Sequence, residues 1–164
     1  MMIERTETWN LWEGLGRIRW GDDFTTIRRV YPAAYEKLRR FGRNLSTGEV
    51  MEAPPGLVIP RFLAGPDELS MEASVEFRET DEKFVVETLA IGPEFPEGEN
   101  DFDARRRVSE GTIRFLSQKL GLQPLELDLT WDLMEQRWET GGASVLLFRE
   151  NADDFTLFVE PPMS

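Results

Sequence analysis

The sequence predicts an α+β fold in which an antiparallel β-sheet carries helices packed on one face. Three observations lead to this prediction. Apolar residues recur at helical spacing in residues 24–31 and 101–120, they alternate with polar residues in 71–78, and the predicted strands follow one another through short turns. Short turns join antiparallel strands, because parallel pairing needs a longer crossover. A chain of 164 residues is expected to form one domain over 1–164.

The amino-terminal quarter is predicted to contain two short helices. The first begins at Asp22 or Asp23, since aspartate is a preferred residue at a helix amino terminus. Pro32 interrupts it. Because proline is well tolerated at a first helical position, residues 32–41 are predicted to form a second helix that ends at Gly42.

In the middle of the chain, apolar residues recur at every second position. Residues 57–63 are a candidate short strand, and residues 71–78 alternate apolar and acidic or polar side chains. A turn at residues 80–82 joins this strand to residues 84–91. The pattern therefore predicts a β-hairpin with one buried and one solvated face.

The carboxyl-terminal half repeats the order of helix and then strands. Asp101 or Asp103 can cap a helix that runs to about Leu120 and is closed by Gly121. The predicted strands that follow cover residues 125–131, 135–140, 143–149 and 155–160, with Gly141 and Gly142 as a hairpin turn. The chain can thus be read as two tandem helix-then-hairpin repeats, residues 14–92 and 101–161.

Charge favours a basic partner. The chain has 31 acidic and 19 basic residues, a formal net charge of −12. Such a charge repels nucleic acid phosphates and anionic lipid, so neither nucleic acid nor membrane is an expected partner. The amino-terminal segment has no apolar run typical of a secretory signal, and no stretch approaches the roughly 20 apolar residues that span a membrane. We therefore expect a cytoplasmic protein.

The sequence lacks two residue types that many enzymes use. The sequence contains no cysteine and no histidine, which excludes disulfides, thiolate nucleophiles and the most common general base and metal ligand. It has no phosphate-binding loop, nucleophile elbow or dinucleotide fingerprint. Among 31 acidic residues some pair will always have the separation that glycoside hydrolysis needs, so such a pair carries no information. We predict no enzymatic activity, no catalytic residues, no metal site and no cofactor.

One segment resembles a known family of small repeats. Residues 17–23, with Ile27, Val30 and Tyr31, resemble the opening of the repeat found in the β-lactamase inhibitory protein and the related outer-membrane assembly lipoprotein. The resemblance implies a concave sheet that binds another protein, without catalysis. The chain departs from that family because it has neither cysteine nor an evident signal, and its second copy lacks the Gly-Asp entry and merges both helices into one.

Aromatic residues on the last strands are candidates for a partner surface. Val145 and Leu147 alternate with Leu146 and Phe148, so apolar side chains are predicted on both faces of the sheet. A sheet of this kind is either covered on both sides or offers one side to a partner. The candidate contact residues are Trp138, Phe148 and Phe158, and ordinary packing is the alternative for each.

Acidic residues on the predicted hairpin form the second candidate surface. They are Glu72, Glu76 and Glu87 on the strands and Asp81 and Glu82 at the turn. A solvated face that protects the sheet edge is one interpretation. The other is a patch that steers and inhibits a basic protein.

Together these patterns predict a protein-binding module without catalysis. Its most specific form is an immunity-type inhibitor of a basic bacterial toxin, because the chain is small, acidic and poor in catalytic residues. The alternative is a homodimeric structural or assembly subunit that uses the two-sided apolar sheet to self-associate.

Overall fold

A computed structural model describes residues 4–37, 41–52, 55–65, 69–95, 98–122, 134–149, 151 and 153–163. Over these residues the helices are α1 (Phe24–Val30) and α2 (Phe102–Leu120). The strands are β1 (Gly14–Leu15), β2 (Ile18–Arg19), β3 (Tyr35–Glu36), β4 (Phe41–Arg43), β5 (Val50–Glu52), β6 (Gly56–Ala64), β7 (Ser70–Thr80), β8 (Lys83–Pro93), β9 (Met134–Thr140), β10 (Ala143–Arg149) and β11 (Thr156–Glu160).

Seven strands form one antiparallel sheet in the order β3-β6-β7-β8-β11-β10-β9. The pairs β1-β2 and β4-β5 form two small separate sheets. The α+β class and the antiparallel sheet predicted from the sequence are therefore confirmed.

One face of the sheet, which we call the inner face, lies against the helices and the amino-terminal segment. Val145 and Leu147 on β10 are buried there, and Leu147 lines a small cavity together with Ile113 and Leu116 of α2. At the other end of the sheet, the ring centroids of Phe24 in α1 and Phe77 in β7 are 5.4 Å apart. Both helices thus pack on the inner face, as the apolar pattern predicted.

Helix α1 begins where the sequence predicted. The side chain of Asp23 accepts a hydrogen bond of 2.8 Å from the backbone N–H of Thr26, which is the standard cap of a helix amino terminus. Ile27 and Val30 are fully buried on the sheet side of the helix. Asp23 also forms a β-bridge with Val85, so the start of the helix is attached to β8.

The second predicted helix, over residues 32–41, is wrong. Tyr35 and Glu36 form strand β3, and Gly42, expected at the end of the helix, lies in strand β4; residues 38–40 lie outside the described residues. Pairing with β6 provides backbone hydrogen bonds for this segment, because Tyr35 lies opposite Val58 and the N–H of Lys37 donates to the carbonyl of Gly56. Tertiary pairing has overridden the local helical pattern.

Helix α2 has the predicted ends. Asp101 caps it by accepting from the N–H of Asp103, and Gly121 ends it in the left-handed conformation with φ 68°. The middle of the helix is attached to β10 by a buried ion pair, in which Nη2 of Arg149 lies 3.2 Å from Oε1 of Glu110. The same oxygen accepts from Nε of Arg106 at 3.0 Å.

The predicted hairpin corresponds to β7 and β8. Asp81 and Glu82 form its turn with φ 47° and 65°, both in the left-handed region that side chains disfavour. The register shifts between Glu76 and Phe77, so that Glu87 is an extra residue on β8. This β-bulge bends the strand next to the point where Asp22 accepts from the N–H of Val86.

The two halves of the chain meet at β8 and β11, the last strand of each half, which pair antiparallel. The helices of the halves differ in length, with 7 residues in α1 and 19 in α2. The tandem repeats 14–92 and 101–161 therefore stay a prediction. The predicted strand 125–131, with Trp131, lies outside the described residues. Across the part of the chain that the structure describes, no helix has the length and apolar character to cross a membrane.

Candidate protein-binding surface

A row of side chains crosses the whole outer face of the sheet, the face opposite the helices. The strand register places one residue from each of the seven strands directly beside the next. In spatial order the row is Tyr35, Val58, Ser74, Ala90, Phe158, Leu146 and Arg137.

Most of this row is apolar and partly exposed. We call its apolar members, together with Phe148 on β10, the outer stripe: Tyr35, Val58, Ala90, Leu146, Phe148 and Phe158. Tyr35 is 55% exposed, and the other members are partly buried. Their sequence neighbours on the inner face, such as Leu147 and Leu157, are fully covered. The outer stripe therefore presents apolar surface on the side of the sheet that α1 and α2 do not cover.

The predicted aromatic contact residues lie on two different faces. Phe148 and Phe158 belong to the outer stripe. Trp138 lies opposite Val145, and it borders the small inner cavity with Leu116 and Leu122. The structure thus brings the two phenylalanines together and places the tryptophan against the core.

Three of the predicted acidic residues border the outer stripe. Glu72 and Glu76 lie on β7 on either side of Ser74 and are exposed. Glu87, the bulge residue of β8, is exposed beside Thr88, which lies opposite Glu76. The predicted acidic strand residues therefore share one region of the outer face.

Asp81 and Glu82 lie farther away, at the tip of the hairpin. Both are exposed, and they lie in the turn after β7 and not on its outer face. They extend the acidic surface along the hairpin but do not border the outer stripe.

Local electrostatics differ among these carboxylates. Burial, and the nearby carboxylate of Glu94, raise the pKa of Glu72, because both disfavour its ionised form. Glu76 instead has a cationic partner, since its Oε1 lies 2.7 Å from Nζ of Lys37. A cation brought to Glu72 by a partner would relieve its repulsion with Glu94.

A second acidic border lies on β9 and was missed in the sequence. Glu135 and Glu139 are exposed and lie opposite the outer-face residues Phe148 and Ser144. Arg137 lies between them, and its Nη2 is 3.7 Å from Oε1 of Glu135. The alternation of charged and uncharged residues along β9 is the signal that could have identified this border.

Tyr35 and Val58 were also missed. The sequence reading placed Tyr35 in a helix, where it would have had no fixed relation to the sheet. Its position on β3 depends on pairing with β6, a long-range contact that local periodicity does not report.

The outer face combines an apolar centre with a charged border. Protein interfaces combine an apolar, often aromatic centre with a polar border that excludes water. Here the outer stripe provides the centre, and Glu72, Glu76, Glu87, Glu135 and Glu139 provide the border. Among the described residues, no group of three or more carboxylates is placed to hold a metal ion.

Comparison with protein-family models, with curated proteins and with solved structures gave no match to this chain.

Proposed function

We propose that this protein binds a basic protein through the outer stripe and its acidic border, without catalysis. The observation that carries the proposal is the row of side chains that crosses all seven strands, apolar at its centre and bordered by carboxylates on β7, β8 and β9. Its most specific form is an immunity-type inhibitor that neutralises a basic bacterial toxin in the cytoplasm of the cell that makes it.

Aromatic and aliphatic side chains support a binding role for the centre of this face. Phe158 lies between Ala90 and Leu146, so it is next to the middle member of the row. A few side chains near the centre of an interface, often aromatic ones, contribute most of the binding free energy. The resemblance to repeats of the β-lactamase inhibitory protein is in keeping with such a role, because it implies a sheet that binds another protein.

Charge favours a basic partner over a second copy of the chain. Each copy carries a formal net charge of −12 over the whole chain, and two acidic borders facing each other would repel. A basic protein would instead be attracted over a distance of about 8 Å at physiological salt. The homodimer therefore remains the second candidate, and it predicts an assembly that strengthens with salt rather than weakens.

The experiment that tests the proposal co-expresses this chain with the product of the neighbouring gene. We expect the neighbour to arrest growth alone, to be tolerated together with this chain, and to bind it more weakly in high salt than in low salt. A neighbour that is harmless and does not bind would contradict the immunity-type role. Sedimentation of the chain alone would then show whether it forms a dimer.

A further inference from the structure

A groove opens at one end of the outer face, where strand pairing is interrupted along the edge of β8 that does not face β7. β11 pairs with this edge only at residues 89–91, and the amino-terminal segment reaches it again at Val86, whose N–H donates to the carbonyl of Asp22. Glu87 and Thr88 lie between these two contacts. The interval borders a groove of about 570 Å³.

Local sequence explains why the groove forms there. The β-bulge at Glu87 bends β8, and Pro161 and Pro162 follow directly after β11. Proline has no backbone N–H, so the chain cannot continue the ladder beside Glu87 and Thr88. The carboxyl-terminal segment therefore forms one wall of the groove instead of closing it.

The walls combine an aromatic ring, apolar side chains and carboxylates. Trp20 lines one side, and its Nε1–H donates to the carbonyl of Leu11 at 2.7 Å, which fixes the orientation of the indole. Glu87 and Glu160 contribute carboxylates, and neither makes a hydrogen bond or an ion pair with the residues that the structure describes. Val85 and Pro161 supply apolar surface.

We infer that this groove receives an arginine or lysine side chain of the bound protein, an inference that rests on the proposed function and specifies how that surface recognises its partner. An indole face attracts a cation, and carboxylates at the same site add charge-assisted hydrogen bonds. The apolar walls suit the aliphatic part of a long basic side chain. Arg78 also lines the groove, so the lining residues that the structure describes contribute two carboxylates and one cation.

The groove is continuous with the outer stripe. Glu160 follows Phe158 by two residues on β11, and Thr88 precedes Ala90 by two residues on β8. Side chains two residues apart on a strand lie on the same face about 7 Å apart. A protein seated on the outer stripe therefore has the groove directly at the border of its contact area.

The test uses the capped peptide acetyl-Gly-Arg-Gly-amide and its citrulline counterpart, titrated into the ¹⁵N-labelled protein and followed by nuclear magnetic resonance. Citrulline keeps the shape of arginine and removes its charge. We expect saturable shifts of the Trp20 indole and Thr88 amide signals with the arginine peptide, and binding about tenfold weaker with citrulline. Equal shifts with both peptides, or shifts confined to other residues, would overturn the inference.

Two double variants locate the binding site. Glu87→Gln with Glu160→Gln removes both groove carboxylates, and Glu36→Gln with Glu49→Gln removes the same charge from exposed positions outside the groove and outside the acidic border. We expect about tenfold weaker peptide binding for the first and about unchanged binding for the second. Unperturbed signals away from the substitutions would show that each variant folds. Equal weakening by both would indicate nonspecific attraction and would refute the assignment to the groove.

The peptide titration needs no knowledge of the partner, so its failure differs from failure of the proposed function. If the groove binds the arginine peptide but the protein binds no basic partner, the assignment of the groove stands and the proposed function fails. If a partner binds the outer stripe of wild type and of Glu87→Gln/Glu160→Gln equally well, the proposed function stands and the assignment of the groove fails. Free arginine binding about tenfold more tightly than the capped peptide would indicate a zwitterionic small molecule and would also contradict the inference.

Discussion

Leu146 on β10 lies directly opposite Phe158 on β11, on the outer face of the sheet. The residues that follow and precede them, Leu147 and Leu157, lie opposite each other on the inner face and are buried. A continuous apolar run in each strand thus divides into two sets with different environments, because successive side chains of a strand point to opposite faces.

The two sets are expected to respond differently to substitution. Leu146→Ser with Phe158→Ser should leave the fold intact and weaken partner binding about tenfold or more, since these side chains form the centre of the proposed interface. Leu147→Ala should instead lower the free energy of unfolding by about 2–5 kcal/mol, because it leaves a cavity in the core. Urea unfolding and binding measurements on both variants check this division. A large stability loss in the outer pair would show that this face is ordinary core.

The buried ion pair between α2 and β10 gives a second prediction. Glu110→Ala removes one carboxylate partner of the fully buried guanidinium of Arg149, and it should destabilise the protein by about 1–3 kcal/mol. Glu110→Ala combined with Arg149→Met should cost less than the sum of the two single substitutions, because both remove the same ion pair. Chemical unfolding of the single and double variants measures the coupling. Losses of unfolding free energy that simply add would contradict a coupling between the two residues.

The turn of the β7–β8 hairpin is expected to carry backbone strain. Asp81→Asn with Glu82→Gly should raise the stability by about 1–2 kcal/mol, because asparagine and glycine adopt positive φ more readily than the present residues. Glu79→Gln, a nearby charge change outside the turn, serves as the control. An unchanged or lower midpoint of thermal unfolding for the turn variant would show that the native side chains stabilise the turn in another way.

The amino-terminal cap of α1 should contribute a pH-dependent part of the stability. Hydrogen bonds from the side chain and the backbone N–H of Thr26 lower the pKa of Asp23 below its ordinary value of 3.8. A depressed folded-state pKa stabilises the protein above the unfolded-state pKa, and this contribution disappears as the pH falls through the folded-state value. Asp23→Ala should therefore cost about 1 kcal/mol at pH 7 and less below pH 3.8.

Asp23→Asn provides the matched control for that cap. Asparagine keeps the hydrogen-bond acceptor but has no charge to titrate, so the variant should retain most of the stability at pH 7 and lose the dependence on acid. Equal pH profiles for wild type and Asp23→Asn would refute the assignment.

Local patterns predicted the elements whose ends are set by nearby residues. Asp23 and Gly121 mark the ends of helices because capping involves only neighbouring backbone groups. The alternation in β7 and the Gly141-Gly142 turn of the β9–β10 hairpin were readable for the same reason.

Local sequence patterns did not predict the pairing of strands that are far apart in the chain. Tyr35 follows a proline and an alanine pair that favour a helix, yet β6 holds it as a strand. The assignment of Trp138 to the inner face depends on its register with Val145, and a shift of one residue would have reversed it. The groove beside Glu87 depends on a β-bulge and on the path of the last residues, which no periodicity reports.

The most direct test of the proposed function is a calorimetric titration of the purified neighbouring-gene product with wild type and with Leu146→Ser/Phe158→Ser, each at about 50 mM and about 500 mM salt. We expect the wild type to bind, its binding to weaken in high salt, and the outer-stripe variant to bind about tenfold or more weakly while unfolding at a similar urea concentration. Equal affinities for the two proteins, or no binding by the wild type, would contradict the proposed function.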